Sequence, residues 1–357
     1  MTAFPSSARR VLITGGAGFI GSNWARYLLE ETDARVHVLD NLTRAGVHRN
    51  LNFLRELPEA AGRLRVTAGD VRNAALVEEA VAGADEVYHL AAQTAVTTSV
   101  ADPRLDMEVN LGGAFNILEA VRKAAHRPFL LFTSTNKVYG AMPAAQTDSG
   151  VNESQPLDFH SPYGCSKGAA DQYVRDYARI FGVRSVVFRM SCIAGRQQFG
   201  NEDQGWLAHF LYSALEDRTI TLYGDGCQVR DVLNVNDLLE AFAAAARTRE
   251  SLAGNVYNIG GGPDHALSLL DAIESIAHIT GRQPRLRLEP ARPGDQKIYV
   301  TDFSRFRRDT GWKPRLSVEK TLSEIHAWWR QYLAPPTTSS SSSTSVPISF
   351  GEAPQAV

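Results

Sequence analysis

Short apolar, β-branched runs alternate along the first half of the chain with longer stretches whose apolar positions recur at helical spacing. Val11–Thr14, Val36–Asp40, Leu64–Ala68, Glu86–Leu90, Pro128–Ser134 and Ser185–Arg189 read as strands. Between them the pattern predicts helices over Phe19–Glu31, Ala74–Val81, Leu105–Ala125 and Ser161–Phe181. Strand and helix in alternation imply an α/β fold: a doubly wound parallel sheet of Rossmann type with right-handed crossovers.

Beyond Arg189 the regularity weakens. An irregular stretch, Ser191–Gly205, precedes helices expected over Trp206–Glu216, Asp237–Arg247 and Leu267–Thr280. Two short strands, Arg285–Glu289 and Ile298–Val300, and an amphipathic helix over Val318–Tyr332 complete a smaller C-terminal α/β lobe. The expected organisation is a dinucleotide-binding domain over 8–189 and a substrate lobe over 190–333, with 232–261 returning to the first domain. Residues 334–357 collapse to Pro, Thr and a serine run, and this tail is expected to be disordered.

Composition narrows the classes of function. With 44% hydrophobic residues over 357 positions, the chain has ample apolar surface for a large core. A formal net charge of −2 argues against a general nucleic-acid binder or an anionic-membrane binder. Three scattered cysteines, Cys165, Cys192 and Cys227, suit neither a disulfide scaffold nor a metal site. No apolar run is long enough for a membrane span, and Met1–Arg10 lacks the apolar core of a signal peptide. A soluble cytoplasmic protein without a metal is the expectation.

The glycines of Thr14-Gly15-Gly16-Ala17-Gly18-Phe19-Ile20-Gly21 fall between a strand and a helix. Gly15 permits a tight turn, Gly18 lets the backbone approach a pyrophosphate, and Gly21 lets helix and strand pack closely. The phosphates of a dinucleotide then sit at the helix N-terminus. Asp40, at the end of the second strand, is placed to accept from both adenosine ribose hydroxyls and to repel a 2′-phosphate, which favours NAD over NADP. Arg44 lies close by and leaves some room for NADP. Asp70 and Val71, after the third strand, are placed to cap the adenine. Further on, Tyr163-Gly164-Cys165-Ser166-Lys167 puts a phenol and an ammonium on one helix face. A free tyrosine, with a pKa of about 10, is a poor base. A neighbouring Lys⁺ and a positive nicotinamide ring favour its phenolate. Thr133-Ser134-Thr135 supplies hydroxyls at a strand's carboxyl end, where ligands of such sheets bind.

These blocks, together with Asp40-Asn41-Leu42, His89–Ala92 (HLAA) and Thr133–Gly140 (TSTNKVYG), resemble the extended short-chain dehydrogenase/reductase family, the NAD-dependent epimerases and dehydratases. The resemblance runs from about Arg9 to Leu333. The longer blocks Leu157–Tyr173 and Glu202–Trp206 resemble the branch that epimerises CDP-hexoses at C2. The resemblance implies a catalytic trio of Thr135, Tyr163 and Lys167. It implies NAD contacts at Gly15, Gly18, Phe19, Ile20, Gly21, Asp40, Asn41, Asp70, Val71, Leu90, Ala91, Ala92, Gln93 and Asn110, besides Tyr163 and Lys167. Thr97 and Thr98 are expected to line the sugar pocket, with Thr135, Asn136, Gln204 and Arg230, the last in a diphosphate-binding Gln228-Val229-Arg230-Asp231 element. Arg292 is a second candidate for the diphosphate. Trp206 suits either closing the pocket or packing in the core, and His160, just before the active-site helix, suits a cap or packing role as well as a sugar contact.

Related 4,6-dehydratases place an Asp-Glu pair directly after the catalytic threonine, to eliminate and re-add water. Here Asn136-Lys137 stands there, and neither side chain is a carboxylic acid. Two positions depart from the family pattern: Asn234 stands where a histidine is usual, and Gly195-Arg196-Gln197 carries its arginine one place early. Relatives pair the helices Leu105–Ala125 and Ser161–Phe181 across a two-fold axis, so a homodimer is expected. The implied activity is inversion of C2 of a CDP-hexose through a transient 2-keto sugar. Open alternatives are epimerisation at another carbon, a UDP- or GDP-sugar substrate, and a non-catalytic NAD-binding regulator.

Overall fold

The structure is a computed structural model that describes residues 8–141, 150–292, 296–333 and 348–350. Its large sheet is built from β1 (Arg10–Thr14), β2 (Arg35–Asp40), β3 (Leu64–Ala68), β4 (Glu86–His89), β5 (Phe129–Thr135), β6 (Ser185–Met190), β10 (Val256–Ile259) and β14 (Ile348–Phe350). These run in the order β10-β6-β5-β4-β1-β2-β3-β14, and every pairing is parallel. Every residue of β5 is buried, as a central strand covered on both faces requires. The strand order reverses between β1 and β4, and that switch point opens a crevice at the carboxyl ends of the strands.

Helices cover both faces. On one, α1 (Phe19–Glu31), α2 (Val47–Glu56), α9 (Val235–Arg247), α10 (Arg249–Leu252) and α12 (Ser304–Thr310) pack around Trp24, Leu28, Tyr88, Phe188, Phe242 and Phe306. On the other, α3 (Ala74–Ala82), α6 (Gly113–Lys123) and α7 (Ser161–Phe181) bury Val77, Ile117, Leu118, Phe132, Val174 and Val187. Two short helices, α4 (Val96–Ala101) and α5 (Pro103–Met107), connect β4 to α6.

The second lobe holds a sheet of β7 (Cys192–Ala194), β9 (Val229–Asn234), β11 (Ala266–Ser268) and β13 (Ile298–Tyr299), and a pair formed by β8 (Ile220–Tyr223) and β12 (Leu286–Glu289). Its helices α8 (Trp206–Leu215), α11 (Leu269–Thr280) and α13 (Val318–Leu333) enclose Leu207, Leu211, Leu222, Ile276, Leu322 and Trp329. The chain returns to the large sheet through α9 and β10, which pairs with β6.

Two elements differ from the pattern read in the sequence. The helix expected over Leu105–Ala125 is interrupted by a π-helical turn, Glu108–Gly112, between α5 and α6. Gly112-Gly113 weakens the helix there, and Gly113 lies so close to Val71 that a Cβ would come within 2.6 Å of its side chain. The turn swings Asn110 inward. The tail expected to be disordered contributes β14, whose Ile348, Ser349 and Phe350 pair with Val66, Thr67 and Ala68. A parallel edge such as β3 offers unpaired backbone groups that a short extended segment can satisfy. The remainder of the tail, 334–347 and 351–357, lies outside the described residues. Among the described residues no helix is long and apolar enough to cross a membrane, and no cluster of metal-ligating side chains is present.

Candidate active site

A cleft of about 1280 Å³ runs from the glycine-rich turn to the second lobe. That volume exceeds what one drug-sized ligand needs. At one end, Gly15 adopts φ +69°, and a Cβ there would lie 2.7 Å from the Ala91 nitrogen. At Gly21 a Cβ would lie 2.3 Å from the Gly15 oxygen, while at Gly18 it would meet only that oxygen, at 3.1 Å. Gly18 therefore presents bare backbone to the cleft. It also begins α1 with no side chain capping the helix, so the free N–H groups and the positive end of the dipole are left for an anion.

The buried Asp40 accepts from the Ala17 nitrogen at 3.0 Å and the Leu42 nitrogen at 2.9 Å, which aims its carboxylate beside the glycine turn. Burial pushes its pKa up, while these main-chain donors pull it down. Asn41 donates to Asp70 at 3.2 Å, and Arg72 holds Asp70 from the other side at 3.0 Å, keeping that carboxyl below its usual range against burial. Phe19, Ile20, Val71, Leu90, Ala91, Ala92 and Gln93 line the same end. An uncapped helix start, a glycine cradle and an anchored carboxylate fit a dinucleotide pyrophosphate and its adenosine ribose. Asn110 is the exception among the expected cofactor contacts. It lies behind the wall, buried, donating to the Gln93 oxygen at 3.0 Å and accepting from the Gln93 nitrogen at 2.9 Å. It reaches the cleft only through Gln93.

Thr135 closes β5, and Tyr163 and Lys167 occupy the first turns of α7, so the switch point gathers all three. The Thr135 hydroxyl accepts from the Lys137 nitrogen at 3.2 Å and also hydrogen-bonds Tyr163. Burial pushes the Tyr163 phenol up to about 12. Thr135's hydrogen bond and the Arg44 charge oppose this, and the Asp106 charge adds to it. The protein alone therefore does not ionise the phenol in the way the Tyr-Lys spacing suggests, because burial outweighs the groups that favour the phenolate. Lys167 is itself lowered to about 8 by burial. Its ammonium sits 4.4 Å above the Phe132 ring, and the charges of Asp171 and Asp106 support it.

At the far end, Thr97 and Thr98 present exposed hydroxyls from α4, and Asn136, Gln204 and Trp206 complete the walls. Arg230 is buried, with its guanidinium fastened to the carbonyl oxygens of Val229 at 2.7 Å, Lys297 at 3.3 Å and Gln296. Those bonds fix its plane on the cleft wall. Arg292 stacks 3.7 Å over the Tyr223 ring and faces Glu202 and Asp203 at the mouth.

The other residues singled out in the sequence lie as follows. His160 is exposed and pairs with Asp158 at 2.9 Å, outside the cleft. Arg196 is outside it too, although Gln197, Gln198 and Phe199 line it. Asn234 caps α9 and donates to Thr321 at 3.0 Å. Arg44, considered as a neighbour of the ribose phosphate, instead donates to Thr94 at 2.6 Å and to Gln204. Sequence reading also missed Cys192, which lines the cleft and accepts from the Trp206 indole at 3.4 Å.

The architecture and the site define a dinucleotide-binding enzyme of the Rossmann class whose cleft extends into the second lobe. The chain belongs to the NAD dependent epimerase/dehydratase family, whose model matches residues 11–260. It is 38% identical to CDP-paratose 2-epimerase from Salmonella typhi over 338 residues, 89% of this chain and 98% of that one. It is also 34% identical to dTDP-glucose 4,6-dehydratase from Mycolicibacterium smegmatis, over 90% of this chain and 93% of that one. The UDP-glucose 4-epimerase of Thermus thermophilus, solved in complex with NAD, superposes with a TM-score of 0.79 at 32% identity, covering 90% and 99% of the two chains. NAD is the cofactor of this sugar-modifying family.

Proposed function

We propose that this protein is a nucleotide-sugar 2-epimerase that inverts C2 of a CDP-hexose. The observation that carries the reading is the distribution of carboxylates around the cleft. Among the described lining residues they are Asp40 and Asp70 at the adenosine end, and Glu202 and Asp203 facing Arg292 at the mouth. Beside Thr135 and Tyr163 stand Asn136 and Lys137 instead. An elimination of water needs a carboxylic acid/base pair there. An oxidation and re-reduction does not.

A C–H at sugar C2 is not acidic, so inversion by simple deprotonation is disfavoured. Tyr163 takes the proton of the C2 hydroxyl, and Thr135 hydrogen-bonds the same oxygen. Lys167 holds the phenolate and the nicotinamide ribose. Bound NAD supplies a reversible hydride acceptor. Arg230 anchors the diphosphate while the planar 2-keto sugar turns, and Tyr163 returns the proton once the opposite face has been reduced. Gly15, Gly18, Phe19, Ile20, Gly21, Asp40, Asn41, Asp70, Val71 and the Leu90–Gln93 wall hold the cofactor; Thr97, Thr98, Asn136, Gln204 and Arg292 border the sugar nucleotide.

The second copy of a homodimer covers the exposed apolar face of α5, α6 and α7, in this reading. The similarity to CDP-paratose 2-epimerase supports the choice of carbon and base over the UDP- and dTDP-sugars of other relatives. Incubation with a panel of CDP-, UDP- and GDP-sugars, followed by NMR of the products, tests it. A CDP-hexose inverted at C2 without net NADH is the expected result. Loss of water, or inversion at C4 alone, overturns it, and an NAD-binding protein unaffected by Tyr163→Phe and inert to every sugar would be a regulator.

A further inference from the structure

Asp106, on α5, is fully buried at 0% exposure beneath the Tyr163–Lys167 turn, and the redox cycle gives it no part. Its carboxylate accepts from three neutral side chains: the Ser166 hydroxyl at 2.5 Å, the Gln93 amide at 2.9 Å and the Asn110 amide at 3.1 Å. Each partner ties it to a different part of the site. Ser166 directly precedes Lys167 on α7. Asn110 sits on the π-helical turn and also donates to Ser166 at 3.1 Å. Gln93 starts the wall that leads to Thr97 and Thr98, and its amide is locked in turn by the Ala95 backbone, donating at 2.8 Å and accepting at 2.6 Å.

Burying a carboxylate is unfavourable unless its charge is used. Neutral donors satisfy its lone pairs but leave the charge unmatched. The second anion near Lys167, Asp171, is matched: Arg189 grips it in a fork at 2.8 and 2.9 Å. We propose that Asp106 is a positioning residue of this active site: its charge sustains the ammonium of Lys167, and its hydrogen bonds lock the base-bearing helix to the sugar-pocket wall.

The inference rests on the reading of Tyr163 as the base of the proposed cycle. Asp171 and, after it, Asp106 lift the pKa of Lys167, which burial drives down; Asp106, unlike Asp171, also lifts that of Tyr163. The remaining charged or titratable groups facing this trio are few. Arg44 faces Tyr163 from the loop after β2, and the Asp171–Arg189 pair lies one turn along α7. His89 on β4 is held to about 3 by burial and stays neutral. Removing the anion therefore moves both working groups in one direction.

The test uses the NAD-loaded protein carrying Asp106→Asn. Both limbs of its pH profile of kcat/KM should move to lower pH by roughly one unit, the scale of a nearby charge. Asp106→Glu, which keeps the charge, should leave the limbs in place. A second readout needs no sugar: tyrosinate absorbance titrated against pH, assigned by difference from Tyr163→Phe, should show Tyr163 ionising at lower pH in Asp106→Asn. If that variant does not fold, Asp106→Ser removes the same charge and must shift the same curves. Limbs and titration unmoved in whichever neutral variant folds, with only amplitude lost, would overturn the proposal. A shifted titration in a protein that turns over no CDP-sugar would support the coupling while sinking the epimerase reading alone.

Discussion

The Arg44 guanidinium donates to the side-chain oxygen of Gln204 at 2.5 Å, joining the loop after β2 to the second lobe across the mouth of the cleft. It donates as well to Thr94 at 2.6 Å, so one side chain ties three cleft segments together. Removing such hydrogen bonds from a charged donor costs on the order of 1.5 kcal/mol, or about tenfold in an equilibrium constant. Arg44→Ala should therefore lose bound NAD about tenfold faster during gel filtration while folding normally. Retention equal to that of the unmodified protein would show that the bridge does not hold the cleft closed.

Asp40 carries a prediction with a pH sign. Its ionised carboxylate is the form that accepts from ribose hydroxyls, and burial raises its pKa. NAD affinity should be full above that raised value and fall as pH drops through it, at higher pH than an ordinary carboxyl would set. For the cofactor-free fold the sign is opposite: a raised carboxyl pKa gives stability that is lost as pH rises through it. Asp40→Asn should bind NAD about tenfold more weakly, lose this acid dependence, and discriminate less against NADP. Calorimetric titration at several pH values checks all three. Equal affinity of the unmodified protein for NAD and NADP would sink the assignment.

The Asp171–Arg189 pair is buried to 0% and 2% side-chain exposure, and Arg189 also donates to the Tyr139 hydroxyl at 3.0 Å. Asp171→Asn leaves a buried guanidinium uncompensated, so urea unfolding should show a loss of about 3–5 kcal/mol. Replacing both partners with apolar residues of similar volume should recover most of it. A single-variant loss below about 1 kcal/mol, the scale of an exposed pair, would contradict the burial.

The parts of this protein that were legible in its sequence are those written locally. The bounds of α1 and α7 read directly from Phe19–Glu31 and Ser161–Phe181, because an uncapped glycine turn starts one and Gly182 stops the other in a left-handed conformation. The glycine spacing, Asp40 and the Tyr163–Lys167 pair likewise needed only neighbours in the chain. What escaped depends on tertiary partners. The π-helical turn appears where Asn110 meets Gln93, Asp106 and Ser166, residues brought together from three segments. Arg44 finds Gln204 only once the second lobe folds over the first. The short β14 takes its structure from the edge of β3, and no pattern within Ile348–Phe350 specifies that.

Apolar side chains on α5, α6 and α7 remain exposed: Met107 at 50%, Phe115 at 43% and Tyr173 at 46%. Phe115 and Tyr173 meet edge to face at 6.1 Å beside a groove of about 520 Å³. The proposed homodimer would bury these side chains. In the homodimer we propose, Phe115→Asp places a charge in that contact and should shift sedimentation from dimer to monomer with the monomer fold retained. An unmodified protein that sediments as a monomer would refute the dimer.

The hydride itself gives the most direct test of the proposed reaction. If C2 is oxidised and re-reduced on NAD that stays bound, substrate deuterated at C2 should give product still deuterated at C2. Direct deprotonation would place the label on an acidic side chain that exchanges with water. The cleft favours the first route, since Asn136 and Lys137, not carboxylates, flank Thr135 there. Tyr163 then handles only the hydroxyl proton. Its phenol group, whose pKa burial pushes up to about 12, must take up and return that proton beside Thr135 and Arg44. Tyr163→Phe should slow turnover by about 10²–10⁴-fold, the range for loss of a general base, while leaving NAD bound. Deuterium lost to solvent from C2 during turnover would refute the redox route, whichever sugar nucleotide the protein turns over.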